Sequence, residues 1–237
     1  MDTNFQKIKA DLDASGATTG TEMETAFNGN FDKIRLNFAE QQNQINELLY
    51  VPLEITSFTG GGRYEKGQTV TGISFAWTYN KDVTSQSIGP GSVAVASNLR
   101  SYQLTAQNIT SNRTYTLSAS DGKTSRTAST SVTFLDSRYW GVSDKPDLDQ
   151  AAILALSSEL SSSRVQSRTF NCSGGKYFYL AWPAVFGTPS FKVGGLSFSD
   201  MVKTTIELTN ASGYTASYDL WRVGTIQSGA AITVDVA

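Results

Sequence analysis

Two periods divide the pattern of apolar and polar positions along the chain. Up to about residue 50 the apolar side chains recur every three or four residues, the repeat of a helix. Phe5, Ile8 and Leu12 make a first short series, which Ser15-Gly16-Ala17-Thr18-Thr19-Gly20 interrupts. Thr21-Glu22-Met23-Glu24 then reads as a capping box, in which a hydroxyl and a carboxylate satisfy two orphan N–H groups at a helix start. Beyond it Phe27, Phe31, Ile34, Phe38, Ile45 and Leu48 follow at intervals of 4, 3, 4, 7 and 3, and Gln41 occupies the missing step. This is a heptad seam with one polar member. The remainder of that helix is polar: Asn30, Asp32, Lys33, Arg35, Asn37, Glu40, Gln42, Asn43 and Asn46. Pro52 prevents it from running far past Val51.

Such a stripe can pack on the chain's own globular part or on copies of itself. Two positions in seven make a narrower band than globular packing uses, and a helix of about 30 residues spans roughly 45 Å. Six seam side chains, each worth roughly 1.5–3 kcal/mol on burial, stay wet unless another chain covers them. Bulky phenylalanine makes a tight dimer awkward. Three strands are favoured instead, and the expectation is a parallel self-associating bundle with Phe27, Phe31, Ile34, Phe38, Gln41, Ile45 and Leu48 at its interface.

From Leu53 to Leu135 the period falls to two. Strands are expected over 53–58, 73–79, 93–95, 102–105, 114–119 and 129–135, with Gly60-Gly61-Gly62 closing the first and Asp121-Gly122 marking a hairpin. About seven short strands with turns every 8–12 residues describe a β-sandwich, and Trp77 falls where immunoglobulin-like folds carry a core tryptophan on the third strand. An all-β sandwich of another topology fits the same pattern. Residues 136–146 read as a joint, after which Asp147 can cap a short helix through Leu148, Ile153, Leu154, Leu156 and Leu160. A second β-region follows, with strands over 168–172, 176–182, 190–193, 204–209, 214–222 and 232–236. The expected fold class is mainly β with an N-terminal α-helical coiled coil. It divides into a helical segment over 1–51, an immunoglobulin-like β-sandwich over 52–136, and a second small β-sandwich with a short leading helix over 137–237.

Composition narrows the chemistry. The 237 residues hold 19 basic and 21 acidic side chains, so no global positive field gathers nucleic acid or an anionic membrane. No window of 18 apolar residues exists for membrane insertion, and no signal segment is expected at the start, which suggests a soluble protein made in a cytoplasm. Serine and threonine make up roughly a quarter of the chain, well above ordinary globular usage. The absence of histidine removes the usual general base and the commonest metal ligand, and with it any Ser-His-Asp or Cys-His relay. Cys172, the one cysteine, can form no disulfide within the chain and reads as a small buried hydrophobe.

Asp144, Asp147 and Asp149 are the one acidic cluster. They suit a helix start better than a calcium loop, and a glycosidase pair would need a second carboxylate across a cleft. Gly60-Gly61-Gly62-Arg63 lacks what a phosphate loop requires, and the sequons at Asn108, Asn112, Asn171 and Asn210 fit chance in so Asn-, Ser- and Thr-rich a chain. No cofactor and no metal are expected. The aromatics Tyr177, Phe178, Tyr179 and Trp182, and Tyr214, Tyr218 and Trp221, fill a core on one face of their strands; the other face is left for solvent, a neighbouring chain or a sugar.

Thr25-Ala26-Phe27-Asn28-Gly29-Asn30-Phe31, with Ile34 and Phe38, resembles a helical segment of phage tail and fibre proteins. The tract 161–179, with Thr169-Phe170-Asn171-Cys172-Ser173-Gly174-Gly175-Lys176-Tyr177-Phe178-Tyr179, is similar to the terminal domain of virion fibre proteins from crAss-like and other Bacteroidetes-infecting tailed phages. Phe186-Gly187-Thr188-Pro189, Val193-Gly194-Gly195 and Thr209-Asn210-Ala211-Ser212-Gly213-Tyr214 extend the likeness. The resemblance implies a non-enzymatic structural protein of the virion, assembled in the host cytoplasm, in which residues 1–51 dock and trimerise. Its implied partners are itself, as a homotrimer, other virion proteins (portal, collar, tail or capsid) and a host-surface glycan. The alternative from another class is a carbohydrate-binding adhesion module acting as a receptor-binding protein.

Overall fold

The computed structural model describes Lys7, Ala10, Asp11, Asp13, Ala14 and residues 20–237. The first helical series, Phe5, Ile8 and Leu12, lies outside the described residues. Contacts divide the chain into two compact units, Met1–Pro52 and Leu53–Ala237.

In the first unit the helix α1 (Gly20–Leu48) carries the heptad seam. It begins ahead of Thr21, so the expected capping box sits inside its opening turns, where the Thr21 carbonyl accepts from Thr25 Oγ1 at 2.8 Å. At the other end Leu49 N still donates to Ile45 O at 2.9 Å, whereas Tyr50 N reaches Glu47 O at 3.3 Å. Pro52, with no N–H to give, closes the helical path.

The second unit is β. Strands β1 (Ile55–Thr59), β3 (Ile73–Tyr79) and β6 (Ser101–Leu104) form one sheet in the order β1-β3-β6. Across from it run β2 (Gly62–Glu65), β8 (Ser125–Ser143), β7 (Arg113–Ser120), β4 (Ser85–Gly89) and β5 (Val93–Val95), with β2 parallel to β8 and the others antiparallel. This is the A-B-E against G-F-C arrangement of an immunoglobulin-like sandwich. Alternation produces it: Ile73, Phe75 and Trp77 of β3 and Tyr115 and Leu117 of β7 enter one core, together with Val132 and Phe134 of β8.

Trp77 is buried there and donates its indole N–H to Gln86 Oε1 at 2.9 Å. It stands on strand B, opposite Gln86 of strand C, and not on strand C where antibody-type domains place their tryptophan. The two strands the sequence reading passes over, β2 and β4, are short and rich in Gly, Ser and charged residues, which hide their period. Gly60-Gly61 proves to be the crossing from one sheet to the other. A Cβ on Gly61 would stand 2.1 Å from Ser131 O, and one on Gly60 2.5 Å from Ser74 O, with Gly60 at φ +127°.

β8 does not end with this sandwich. Its 19 residues pair with β7 over 125–132, with β2 over 132–135, with β9 (Ser157–Ser161) over 136–140 and with β11 (Tyr177–Pro183) over 139–143. The stretch expected as a joint is strand as far as Ser143, and the expected boundary at 136/137 falls inside it. Tyr139-Trp140-Gly141-Val142 is strongly strand-forming, and paired backbone on both sides leaves no linker. The long sheet continues from β11 through β15 (Thr215–Val223) to β14 (Met201–Thr209).

A four-stranded sheet, β10 (Gln166–Phe170), β16 (Ile232–Val236), β12 (Phe191–Val193) and β13 (Leu196–Ser197), shares a core with β11 and β15, made by Phe170, Phe178, Leu180, Trp182, Val223 and Val234 among others. The opposite face of β11 and β15 is covered too. Tyr139, Tyr179, Ala181, Tyr218 and Leu220 pack there with Ile153 of the short helix α2 (Gln150–Leu154). That helix is shorter than expected and starts later: Asp149, not Asp147, is its cap, accepting from Ala152 N at 2.8 Å, and Leu160 lies in β9.

The crossing yields a test. Gly61→Ala forces a methyl against the backbone of β8 and is expected to cost about 1–3 kcal/mol in urea unfolding, the usual range for overpacking; an unchanged midpoint would show that the sheets separate freely at this point.

Candidate functional site

Every residue of α1 from Phe31 to Leu48, and Leu49 after it, is exposed in the single chain, and so is Phe27. In heptad terms Phe31, Phe38 and Ile45 take one core position, and Phe27, Ile34, Gln41 and Leu48 the other. Phe31 and Phe38 are 56% and 68% accessible, values that large rings adopt in solution only at a cost in free energy. Phe27 and Phe31 touch one turn apart, with ring centroids 5.8 Å from each other. The helix thus brings all seven candidate residues onto one stripe. Positions flanking the stripe are Asn28, Asn30, Arg35, Asn37, Gln42 and Gln44, with a single charge among them. Gln42 is satisfied locally, donating Nε2 to Asn46 Oδ1 at 3.1 Å. Leu36 and Leu49, exposed and outside the stripe, escaped the sequence reading because neither obeys its spacing.

The acidic cluster lies on the surface. Asp144, Asp147 and Asp149 are exposed, and Asp149 is engaged as a cap. Among the described residues no group of three or more Cys, Asp or Glu side chains could hold a metal ion, and no helix is long and apolar enough to cross a membrane. Cys172 is fully buried beside Phe170 and Phe178, and burial pushes its thiol pKa up, away from the reactive thiolate.

The aromatic strands likewise offer no open platform. Phe178, Tyr179, Trp182 and Tyr218 are buried, Tyr177 and Trp221 half-buried, and Tyr214 alone is exposed. Both faces of β11 are core, where the alternation suggested one core face and one free face. The segment 148–156, invisible to a period-2 reading, supplies the second cover.

A polar lock at the middle of β8 was not legible from spacing. Lys66 Nζ donates to Asp136 Oδ2 at 2.7 Å, Ser137 Oγ to Glu65 Oε1 at 2.7 Å, Tyr218 O–H to Ser137 O at 2.8 Å, and Asn210 Nδ2 to Lys66 O at 2.8 Å. Asp136 and Ser137 are buried, and these bonds satisfy them. Close packing holds the lock: a Cβ on Gly67 would stand 2.6 Å from Tyr214 Cβ. The recess it encloses measures about 10 Å³, room for one water and not for a ligand. A second clamp joins β8, β9 and β10, where Glu159 accepts from both Arg138 and Arg168 and the Arg168 guanidinium lies 3.6 Å from the Trp140 ring centroid. These features hold the β unit together.

No family model matches the chain, and no curated protein matches it. Solved structures similar to it include the N-terminal eight immunoglobulin domains of Down syndrome cell adhesion molecule, at 10% identity and a TM-score of 0.26, covering 74% of this chain and 23% of that one. Another is a tandem of titin immunoglobulin domains, at 10% identity and a TM-score of 0.22, covering 75% of this chain and 85% of that one. The chain spans about a quarter of the length of the first.

The buried phenols set the response to alkali. Burial pushes Tyr79 and Tyr179 up to about 12, with Arg100 and Arg222 pulling the other way, and drives Tyr218 up as well. The hydrogen bond to Asp136 holds Lys66 above its ordinary value, opposed by its burial. A raised folded-state pKa means the unfolded chain releases its proton first, so this stability is present below pH 10 and is lost as the pH climbs toward 12. Chemical denaturation across pH 8–12 is expected to show a plateau and then a decline from about pH 10. Tyr79→Phe should lower the plateau by about 1 kcal/mol, through its lost bond to Gln86 Oε1 at 2.6 Å, and make the decline shallower.

Proposed function

We propose that this chain is a non-enzymatic structural subunit of a phage virion fibre, in a tail, collar or head appendage. It homotrimerises through α1 and displays its β unit for assembly or host-surface attachment. The observation that carries the reading is the exposed seam: seven positions in strict heptad register on a 29-residue helix, six of them apolar. A phenylalanine buries roughly 150–250 Å² in full; Phe27, Phe31 and Phe38 are 43%, 56% and 68% accessible, so together they offer roughly 250–420 Å² per copy, and Ile34, Ile45 and Leu48 add to this toward the ~800 Å² that each partner gives a stable interface. Near-neutral flanks let like copies approach without repulsion. The likeness of residues 25–38 and 161–214 to virion fibre proteins supplies the biological setting, and portal, collar, tail or capsid proteins are its partners there.

Trimerisation multiplies weak contacts of the β unit by avidity and requires no tight ligand pocket. Burial of Phe178, Tyr179, Trp182 and Tyr218 in the cores favours this structural role over a carbohydrate-binding module.

Light scattering tests the reading. Phe38→Asp, which places a charge in the seam, is expected to reduce the protein to monomers with the far-ultraviolet β signal unchanged. The wild-type assembly should hold its mass between 50 mM and 500 mM salt, because the seam is apolar and its flanks nearly uncharged. Equal masses for the wild type and Phe38→Asp would remove the basis of the proposal.

A further inference from the structure

From the lone polar member of the seam, we infer that Gln41 fixes the direction and register in which copies of α1 assemble. The inference rests on the self-association proposed above and adds a specificity-determining residue to it. Gln41 is exposed in the single chain and makes no hydrogen bond there, whereas its neighbour Gln42 is already paired with Asn46 on the same helix. Its amide carries two N–H donors and a carbonyl acceptor. On the stripe it stands between Phe38 and Ile45 along the chain, with Ile34 one heptad before it and Leu48 one heptad after.

Self-association takes this amide out of water, and in an apolar layer an unpaired amide is costly. Three parallel copies in register bring three Gln41 side chains to the same level. Each Nε2–H can then donate to the Oε1 of the next, closing a ring that obeys the threefold axis.

Any other arrangement strands the amide. A slip of seven residues sets Gln41 against Ile34 or Leu48, and an antiparallel copy sets it against hydrophobic layers of the opposite run. Nothing else in the stripe resists such slips. The same slip lays Phe31 on Phe38, aromatic on aromatic, and the flanks carry a single charge, Arg35, so ion pairs cannot choose the register. The only layer that discriminates is the one containing Gln41.

The test reads register directly. A spin label is attached to Asn43→Cys, an exposed position away from the stripe, in the full chain; Cys172 is fully buried and escapes labelling. With Gln41 present, a single narrow distance between labels on different copies is expected. In Gln41→Leu, a second population displaced along the axis by about 10 Å, seven residues at 1.5 Å each, is expected, together with a higher melting temperature because the layer is now apolar. Gln41→Asn, which keeps an amide, should retain the single distance. The same single narrow distance in Gln41→Leu, with the trimer mass intact, overturns the role of Gln41 and leaves the self-association standing. A monomeric mass for the labelled parent overturns both.

Discussion

The β unit hangs on one strand. β8 gives its backbone to β7 and β2 at one end and to β9 and β11 at the other, so the immunoglobulin-like layers and the sheet beyond them are hydrogen-bonded through the same 19 residues. A strand shared in this way must change which of its faces is buried partway along. Val132 and Phe134 point into the first core, Tyr139 into the third, and at the changeover two consecutive residues, Asp136 and Ser137, are both buried. Consecutive burial in a strand puts polar backbone and side chains in a dry place. The lock of Lys66, Glu65, Tyr218 and Asn210 is the consequence, since each buried polar group there has its partner. With the backbone continuous and the lock closed, the β unit has no hinge at this level.

The helix obeys a different constraint. A stripe of period 3.5 and two positions in seven matches another helix in a supercoil, whereas a helix packed on a globular core uses a wider apolar face. The rings of α1 are large and its flanks carry a single charge, so in the proposed assembly apolar area drives association and the one residue that area cannot satisfy specifies it. On that proposal stability comes from Phe27, Phe31 and Phe38, and specificity from Gln41, the division of labour by which a polar core position trades binding strength for a single arrangement.

What could be read from the residues alone follows from the strength of each local signal. β3, β5 and β16 are expected at their observed bounds because large apolar side chains alternate there without interruption. The helix and its stripe were legible because seven positions in strict register cannot mimic anything of period two. β2, β4, β9 and β13 were not legible: they are two to five residues long with one large apolar or aromatic side chain apiece, and β2 and β9 are held as strands by the backbone of β8 beside them. The joint at 136–146 was misread for a related reason. Its Asp, Ser and Gly residues signal a loop locally, and the partners that make it a strand lie 17 or more residues away along the chain, the nearest being Ser157 opposite Trp140. The second cover on β11 rests on tertiary packing of 148–156, which periodicity cannot report.

Sedimentation equilibrium of the intact chain over a hundredfold range of concentration tests the central claim most directly. The account predicts a mass three times the 25.6 kDa of one chain at the upper concentrations, with no dimer plateau on dilution. A mass of 25.6 kDa throughout would contradict it, because Phe31 and Phe38 would then stand in water with nothing to cover them.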